Sequence, residues 1–600
     1  MPPRPTTPLT RCPKPVAAPR PARARVLGTA LSVALAACGS REEPRPPTPP
    51  APPTVAAPAR PATVRIEGRL RDLGALRAVL PPMLAAAAPT RASELLAAGC
   101  ALPAALQPRI ADDAHLFFAF ARPSPDEALG GAVAARVRVD EGPAPLGADT
   151  PLVDDTGRDV RWIGAAPAEG RLALALVGDA VVCAESVALA RLLGPYVART
   201  LLPALTANDP APRAPLHMTL LPGAVSEDLR RTLLAQLGPA TPAREPGAGQ
   251  GATNPGAAAL GELGDALRAL LPALVASLTG AGAGSITIES VASQLVLRAS
   301  VDAPAGSPFA AALATLPRID RETITALPAG TSLGAVFGAD PGSAWATGGA
   351  LRAAVDTAAG APLPTDEGTK LDAALASLGA ARGTALVVAT GLHAGAPFAL
   401  LGGMGATPGP DAARLQGALD TAFLRQAVAQ RLGCSAPTGA APVPRASTAD
   451  GATTQALRVC GATTRRDSSS IPSRIVLARR DSAWALVVSR TGSEGALPDH
   501  AAEVTARLAR PAPESAGSAL AALPERLSVA VALHPATVSA VLGAWMSPGA
   551  EQPAPAANDD ATLHLALDHD ARGAHLTFVA PGAAIAAFVG AFAGGAGAAR

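Results

Sequence analysis

The sequence has few aromatic residues and little charge. Phe, Trp and Tyr make up 2% of its 600 residues, and Tyr196 is the only tyrosine. Because quaternary-amine and sugar sites use aromatic platforms, this shortage disfavours glycan capture. Charged residues make up 16%, the formal net charge is +2, and Lys370 is the only lysine after residue 37. With no basic patch, nucleic-acid binding is not predicted.

Long apolar runs and cofactor motifs are also lacking. After the first 50 residues no stretch of eighteen is free of Pro, Gly and charge, so no membrane-spanning helix is predicted there. There is no Walker loop, zincin helix or Cys-x-x-Cys, and in "GGMGATPG" Pro408 replaces the third glycine of a dinucleotide fingerprint. The sequence therefore predicts no cofactor and no metal site, and it favours a protein that is not an enzyme.

The first residues form an export leader. Six basic residues and no acid precede an apolar run, residues 26–37, that is too short to span a membrane. The run ends in Leu35-Ala36-Ala37-Cys38, which resembles the lipobox of bacterial lipoproteins. The resemblance implies removal of residues 1–37 and acylation of Cys38, which anchors the chain to a membrane. Gly39, in place of the Asp that retains lipoproteins in the inner membrane, favours the periplasmic side of the outer membrane. Val16 is an alternative start if its codon is GTG.

A spacer and two disulfides are expected next. Residues 38–63 are rich in Pro and Ala, which favours an extended spacer. Once Cys12 is removed and Cys38 acylated, four cysteines remain, with three possible pairings in an oxidising compartment. Cys434 and Cys460 flank a loop of small residues and are expected to pair. Cys100 and Cys183 would pair by elimination, with buried thiols as the alternative.

The order of elements suggests that one architecture occurs twice. In each half a strand, a Pro-bearing corner and a helix precede a two-stranded hairpin and a closing helix, so that Pro222 matches Pro535 and Ile286 matches Leu563. Short turns between strands favour antiparallel pairing. We therefore predict an α+β fold of two homologous units, 64–320 and 321–600, each an antiparallel sheet with helices packed on one face. This order of strand, hairpin and helix is similar to that of some uncharacterised bacterial envelope proteins.

The first unit has an insertion with a strong apolar stripe. In residues 258–279, leucines recur at helical spacing with acids and an arginine off the stripe, and Pro272 should kink the helix. We consider two roles for this helix. It covers the sheet core, or it is a mobile helix that caps an apolar groove or grips a partner.

Two weak chemical motifs remain. "GTSLG" around Ser332 has the letters of a nucleophile elbow, but a strand is expected after the serine rather than before it. The other is the histidine concentration in 563–578. There a four-residue turn, Asp570–Gly573, places Leu565 opposite Phe578 and Asp568 opposite His575. In this register His569 lies on the opposite face of the hairpin from His564 and His575. At most two of these imidazoles can therefore converge, and zinc needs at least three protein ligands.

The sequence predicts a lipid-anchored periplasmic lipoprotein of the outer membrane that binds an apolar ligand or an envelope protein partner, or acts as a scaffold. One alternative is an envelope hydrolase that uses Ser332 or the His564/His575 hairpin, and another is a purely structural spacer. No catalytic residue is assigned.

Overall fold

The computed structural model describes residues 57–587 with gaps at 79, 81–84, 86–88, 125–126, 138–151, 156–159, 165–171, 208–213, 230, 232–277, 292–293, 341–345, 360, 406–407, 433, 437–445, 450, 461–473, 490–495, 512–517 and 547–560. The leader, Cys38, most of the spacer and nearly all of the helix expected at 258–279 lie outside the described residues.

Twenty-two strands are defined in the described ranges. They are β1 (Val64–Leu70), β2 (Leu116–Ala121), β3 (Gly130–Arg136), β4 (Leu152–Asp154), β5 (Arg161–Ile163), β6 (Ala173–Val177), β7 (Ala180–Ala184), β8 (Leu216–Leu220), β9 (Gly284–Val291), β10 (Gln294–Asp302), β11 (Ile319–Asp320), β12 (Thr331–Gly338), β13 (Ala385–His393), β14 (Ala396–Met404), β15 (Ala446–Ala449), β16 (Ala452–Leu457), β17 (Ile475–Arg480), β18 (Ala483–Ser489), β19 (Arg526–Leu527), β20 (Val529–Leu533), β21 (Leu563–His569) and β22 (Gly573–Pro581).

Helices connect many of these strands. The α-helices are α1 (Leu73–Ala78), α2 (Ala92–Cys100), α3 (Val187–Tyr196), α4 (Leu202–Ala207), α5 (Pro308–Ala314), α6 (Ala346–Ala359), α7 (Thr365–Ala380), α8 (Ala412–Leu419), α9 (Ala422–Arg431), α10 (Ala496–Ala509), α11 (Ser518–Ala521) and α12 (Pro535–Met546). The 3₁₀ segments are Gln107–Arg109 and Arg321–Ala326, and the π-helical segments are Val197–Leu201 and Ala224–Leu229. Among the described residues no helix has the length and apolar character needed to cross a membrane.

Twenty strands form one antiparallel sheet. Their pairings give the spatial order β4-β5-β6-β7-β3-β2-β1-β8-β9-β10-β22-β21-β20-β12-β13-β14-β18-β17-β16-β15. The antiparallel sheet and the α+β class agree with the prediction. The prediction of a separate sheet for each half is wrong. The two halves share one sheet because β10 pairs with β22 along its full length, from Gln294–Pro581 to Asp302–Gly573.

Read outward from the β10–β22 pair, the two halves have the same strand order. The ten strands β10, β9, β8, β1, β2, β3, β7, β6, β5 and β4 correspond in turn to β22, β21, β20, β12, β13, β14, β18, β17, β16 and β15. A β-bulge occurs at the same place in both, between Val64 and Ile66 in β1 and between Thr331 and Leu333 in β12. The small β11–β19 sheet lies outside this pattern.

Helices pack on both faces of the sheet, not on one as predicted. Successive side chains of a strand point to opposite faces. Phe117 and Val182 join the cluster that contains α3, whereas their neighbours Leu116 and Val181 join the cluster that contains α2. In the second half α10 packs with Val387, while α8 packs with Leu386. The outer parts of the sheet are therefore covered from both sides.

Local signals in the sequence predict several of these elements. The turn at Gly178-Asp179 joins β6 to β7, and Ser186 caps α3 by accepting a hydrogen bond from the Leu189 backbone N–H at 3.2 Å. The leucine spacing after Ser186 predicts that Leu192 and Leu193 point inward; Leu193 is fully buried, but Leu192 is 37% exposed. The spacing of Leu415, Leu419 and Phe423 predicts one long helix from Asp411 to Leu432, but the structure has two helices there, α8 and α9.

Candidate functional site

The central strands of the sheet present one continuous row of apolar side chains. The row is defined by direct register partners on β8, β9, β10, β22, β21, β20, β12 and β13. Its members are Leu216, Ile288, Leu297, Phe578, Leu565, Val531, Ala335 and Val388. At about 4.8 Å between neighbouring strands, the row is about 34 Å long.

A second apolar row runs beside the first on the same face. Each of its members is two positions along its strand from a member of the first row, and the members are again register partners. They are Met218, Ile286, Ala299, Leu576, Leu567, Val529, Phe337 and Leu386. All sixteen side chains are half-buried or exposed. Val388 is 45% exposed, Phe337 37% and Leu565 36%. We call these two rows the central apolar face.

The opposite face of the same strands is polar on β8, β9, β10 and β22, where His217, Thr287, Arg298 and Thr577 are register partners. Alternation along these strands produces the separation, as in "SITIES" and "HLTF". On β21, β20, β12 and β13 the same row continues as Ala566, Ala530, Val336 and Val387, which are buried in a core cluster. In an isolated sheet the apolar side faces the core and the polar side faces water. Three of the sixteen side chains on the apolar side are exposed and thirteen are half-buried, and Leu386 and Phe578 pack against neighbouring clusters. The part that stays exposed, around Val388, Phe337 and Leu565, is the candidate interaction surface, because exposed apolar patches mark interaction sites.

Ser332 does not form a nucleophile elbow. It is the bulged residue of β12, so the strand contains the serine instead of leading up to it. Its side chain is 1% exposed and its Oγ has no hydrogen-bond partner in the described residues. A backbone hydrogen bond links Ser332 to a histidine: the His534 N–H donates to the Ser332 carbonyl oxygen at 2.7 Å. In the described part of the chain no base is hydrogen-bonded to the hydroxyl.

The histidine hairpin has the register expected from its sequence. Leu565 pairs with Phe578, and Asp568 pairs with His575. His564 instead pairs with Val579, four residues along β22 from His575, or about 13 Å at the usual strand rise. His564 and His575 are therefore not brought together.

The third histidine of the hairpin, His569, is held by a serine. The Ser528 Oγ and His569 Nδ1 lie 2.9 Å apart, and both residues are buried. His569 and Asp570 also line an open cavity of about 490 Å³ together with Arg318. Burial and the Arg318 charge lower the pKa of His569, so its imidazole is neutral in neutral solution. The cavity has a polar end, but the carboxylate of Asp570 accepts its hydrogen bonds from the backbone of its own turn.

One cluster of three residues was not predicted from the sequence. It consists of His393, at the end of β13, and His500 and Glu503 of α10. One ligand atom from each residue lies within 4.8 Å of the others. The two imidazole rings are stacked, with centroids 3.8 Å apart, and Phe398 contacts His500 edge-on. Burial, with the nearby His393 and Arg507, lowers the pKa of His500 to about 4. The His-x-x-Glu spacing of His500 and Glu503 was the only sequence signal.

The cysteines after the spacer are bonded in pairs. The disulfides are Cys100–Cys183, with an S–S distance of 2.03 Å, and Cys434–Cys460, with 2.09 Å. The first joins the end of α2 to β7, and the second follows α9 and closes onto the segment after β16. Both disulfides lie in core clusters, away from the central apolar face.

No protein-family model, no curated protein and no solved structure matches this chain.

Proposed function

We propose that the protein is a non-enzymatic, lipid-anchored binding module that holds an acyl-chain lipid on the central apolar face. The observation that carries the proposal is the pair of register-aligned apolar rows across eight strands, with all sixteen side chains at least partly exposed. No charged side chain interrupts either row. A hydrocarbon chain needs no hydrogen bonds, and such a surface offers none.

The dimensions of the face fit a lipid better than a small polar ligand. Its length of about 34 Å exceeds that of one extended acyl chain, and its width of two rows accommodates one or two chains side by side. Burying apolar surface stabilises a complex by about 25 cal/mol per Å² before the costs of association. A protein partner could use the same surface, and the experiment below distinguishes the two.

We further propose that Cys38 anchors the chain to the outer membrane and that the folded part faces the periplasm. The basic leader, the short apolar run and the lipobox-like Leu35–Cys38 segment support this, and so do two disulfides, which are typical of oxidising compartments. Such an anchor keeps the binding face within reach of membrane lipids. Mass spectrometry of the N-terminal peptide should find an acylated Cys38, and an unprocessed leader would contradict the proposal.

We also infer that residues 64–320 and 321–600 are homologous units. The inference is supported by the ten-strand order common to both halves and by the bulge that follows Val64 in one and Thr331 in the other. Unrelated segments would have no physical reason to place a bulge at the same strand position. On this view the central apolar face is formed where the two units meet, at β10 and β22.

Charged substitutions on the face test lipid binding. Val388→Glu and Leu565→Lys are expected to weaken binding of a fluorescent C11–C16 fatty acid by about tenfold or more, because the complex must then bury an unpaired charge. Both side chains are partly exposed, so the free protein tolerates the change. Fluorescence titration of the processed chain measures the dissociation constants.

The matched control is Leu192→Lys on α3, where a leucine of similar exposure, 37%, lies away from the face. This variant should bind the fatty acid as the unmodified chain does. Equal affinity of all four proteins, or no binding by any of them, contradicts the proposal. Absence of lipid and of probe binding, with a stable envelope protein recovered on the same face, would favour a protein partner. Absence of both would favour the spacer role.

The hydrolase alternative has no comparable support. Ser332 has no histidine side chain bonded to it in the described part of the chain, and the register separates His564 from His575.

A further inference from the structure

His500 is a buried histidine whose ring nitrogens are unpaired. It is 3% exposed, and neither Nδ1 nor Nε2 has a hydrogen-bond partner in the described residues. Most buried polar groups in proteins are paired, and leaving one unpaired costs about 1–3 kcal/mol. A histidine that served only to fill the core under α10 could be replaced by phenylalanine without that cost. The unpaired ring therefore points to a ligand for its nitrogen.

Two other residues with metal-ligating atoms lie beside His500. His393 ends β13 beside the turn at Ala394-Gly395, whose residues have φ of 49° and 78° and so turn the chain back at once into β14. Glu503 lies one helical turn after His500 on α10, so both side chains are on the same side of the helix. The ligand atoms of the three residues lie within 4.8 Å of one another. The sheet and the helix thus bring together residues that are 107 positions apart in the chain.

We propose that His393, His500 and Glu503 form a binding site for a divalent transition-metal ion, with Zn²⁺ as the expected occupant. Two imidazole nitrogens and one carboxylate oxygen are a common three-ligand set for zinc, which leaves a position for water. His393 is half-buried and Glu503 is exposed, so an ion can enter from the surface. Bound there, the ion joins the β13–β14 hairpin to α10.

The present partners of Glu503 do not compete strongly with a metal. Its carboxylate lies 3.8 Å from the Arg507 Nε, and both side chains are about half exposed, at 52% and 43%. Exposed ion pairs of this kind contribute little. The carboxylate can therefore turn toward the imidazoles at low cost.

Metal binding by the processed, untagged chain tests the site. Equilibrium dialysis against buffered ZnCl₂ should find one Zn²⁺ per chain, and the midpoint of thermal unfolding should rise with the Zn²⁺ concentration. His393→Gln and Glu503→Gln should each weaken Zn²⁺ binding by about tenfold or more. Co²⁺ in place of Zn²⁺ should give a visible absorption band that either substitution alters, a signature that only direct ligation produces.

The matched controls are His575→Gln and Glu525→Gln, which remove the same side-chain types from outside the site. Both should bind Zn²⁺ as the unmodified chain does. Glu503 is exposed, so Glu503→Gln should fold even if His393→Gln does not. Failure to bind one equivalent of Zn²⁺, or equal binding by Glu503→Gln and the unmodified chain, would overturn the proposal.

Discussion

Replacing Cys100 and Cys183 together with alanine is expected to lower the free energy of unfolding by about 4.5 kcal/mol. The two residues are 83 positions apart, and on the chain-entropy estimate the bond restricts the unfolded chain by that amount. The native packing should change little, because both residues already lie in the apolar cluster between α2 and β7. Urea unfolding of the processed chain, followed by tryptophan fluorescence, measures the loss.

The other disulfide is the matched comparison. Cys434 and Cys460 are 26 positions apart, so their joint replacement by alanine should cost less, about 3.5 kcal/mol. A larger loss from the Cys434/Cys460 pair than from the Cys100/Cys183 pair would contradict the loop-length account.

Asp228→Ala is expected to destabilise the fold by about 3–5 kcal/mol, because it leaves a nearly buried arginine without its counter-charge. The Asp228 carboxylate lies 2.7 Å from the Arg122 Nε and 3.7 Å from the Arg65 Nε, with 10% of the Asp228 side chain and 12% of the Arg122 side chain exposed. The pair ties the helical segment after β8 to the end of β2. Thermal and urea unfolding of the variant measure the effect.

The control for the Asp228 variant is a solvent-exposed ion pair on the surface of the protein. Asp320 lies 3.2 Å from the Arg526 Nε, but the two side chains are 69% and 65% exposed. Asp320→Ala should therefore change stability by less than about 1 kcal/mol. If the two aspartate variants lost the same amount, burial would not be the source of the effect at Asp228.

Local patterns predicted the elements whose information lies within a few residues. In the last hairpin, Asp570 and Gly573 close a four-residue turn, and the alternation on either side leaves one register that keeps Leu565 and Phe578 on the same face. The Ser186 cap and the Gly178-Asp179 turn are of the same kind. In each case the residues that decide the structure are neighbours in the chain.

Features set by distant contacts were not predictable in this way. Nothing in the alternation of β10 or β22 specifies that the two strands pair with each other, so the single sheet could not be foreseen. The predicted helix from Asp411 to Leu432 is interrupted at Asp420 and Thr421, and the Ala422 N–H at the start of α9 donates to Glu367 of α7, a residue distant in the chain, at 2.9 Å. His393 and His500 meet only because α10 packs on the sheet. Helices on both faces follow from the same long-range packing.

The central claim is that an acyl chain lies on the central apolar face, and photo-cross-linking tests it most directly. A fatty acid with a diazirine on its chain, bound to the processed protein and irradiated, should label Leu297, Leu565 or Val388, with each labelled residue identified by fragmentation mass spectrometry. Excess unlabelled fatty acid should suppress the labelling. Labelling confined to the polar face around Arg298 and Thr577, or to helices away from these strands, would contradict the account.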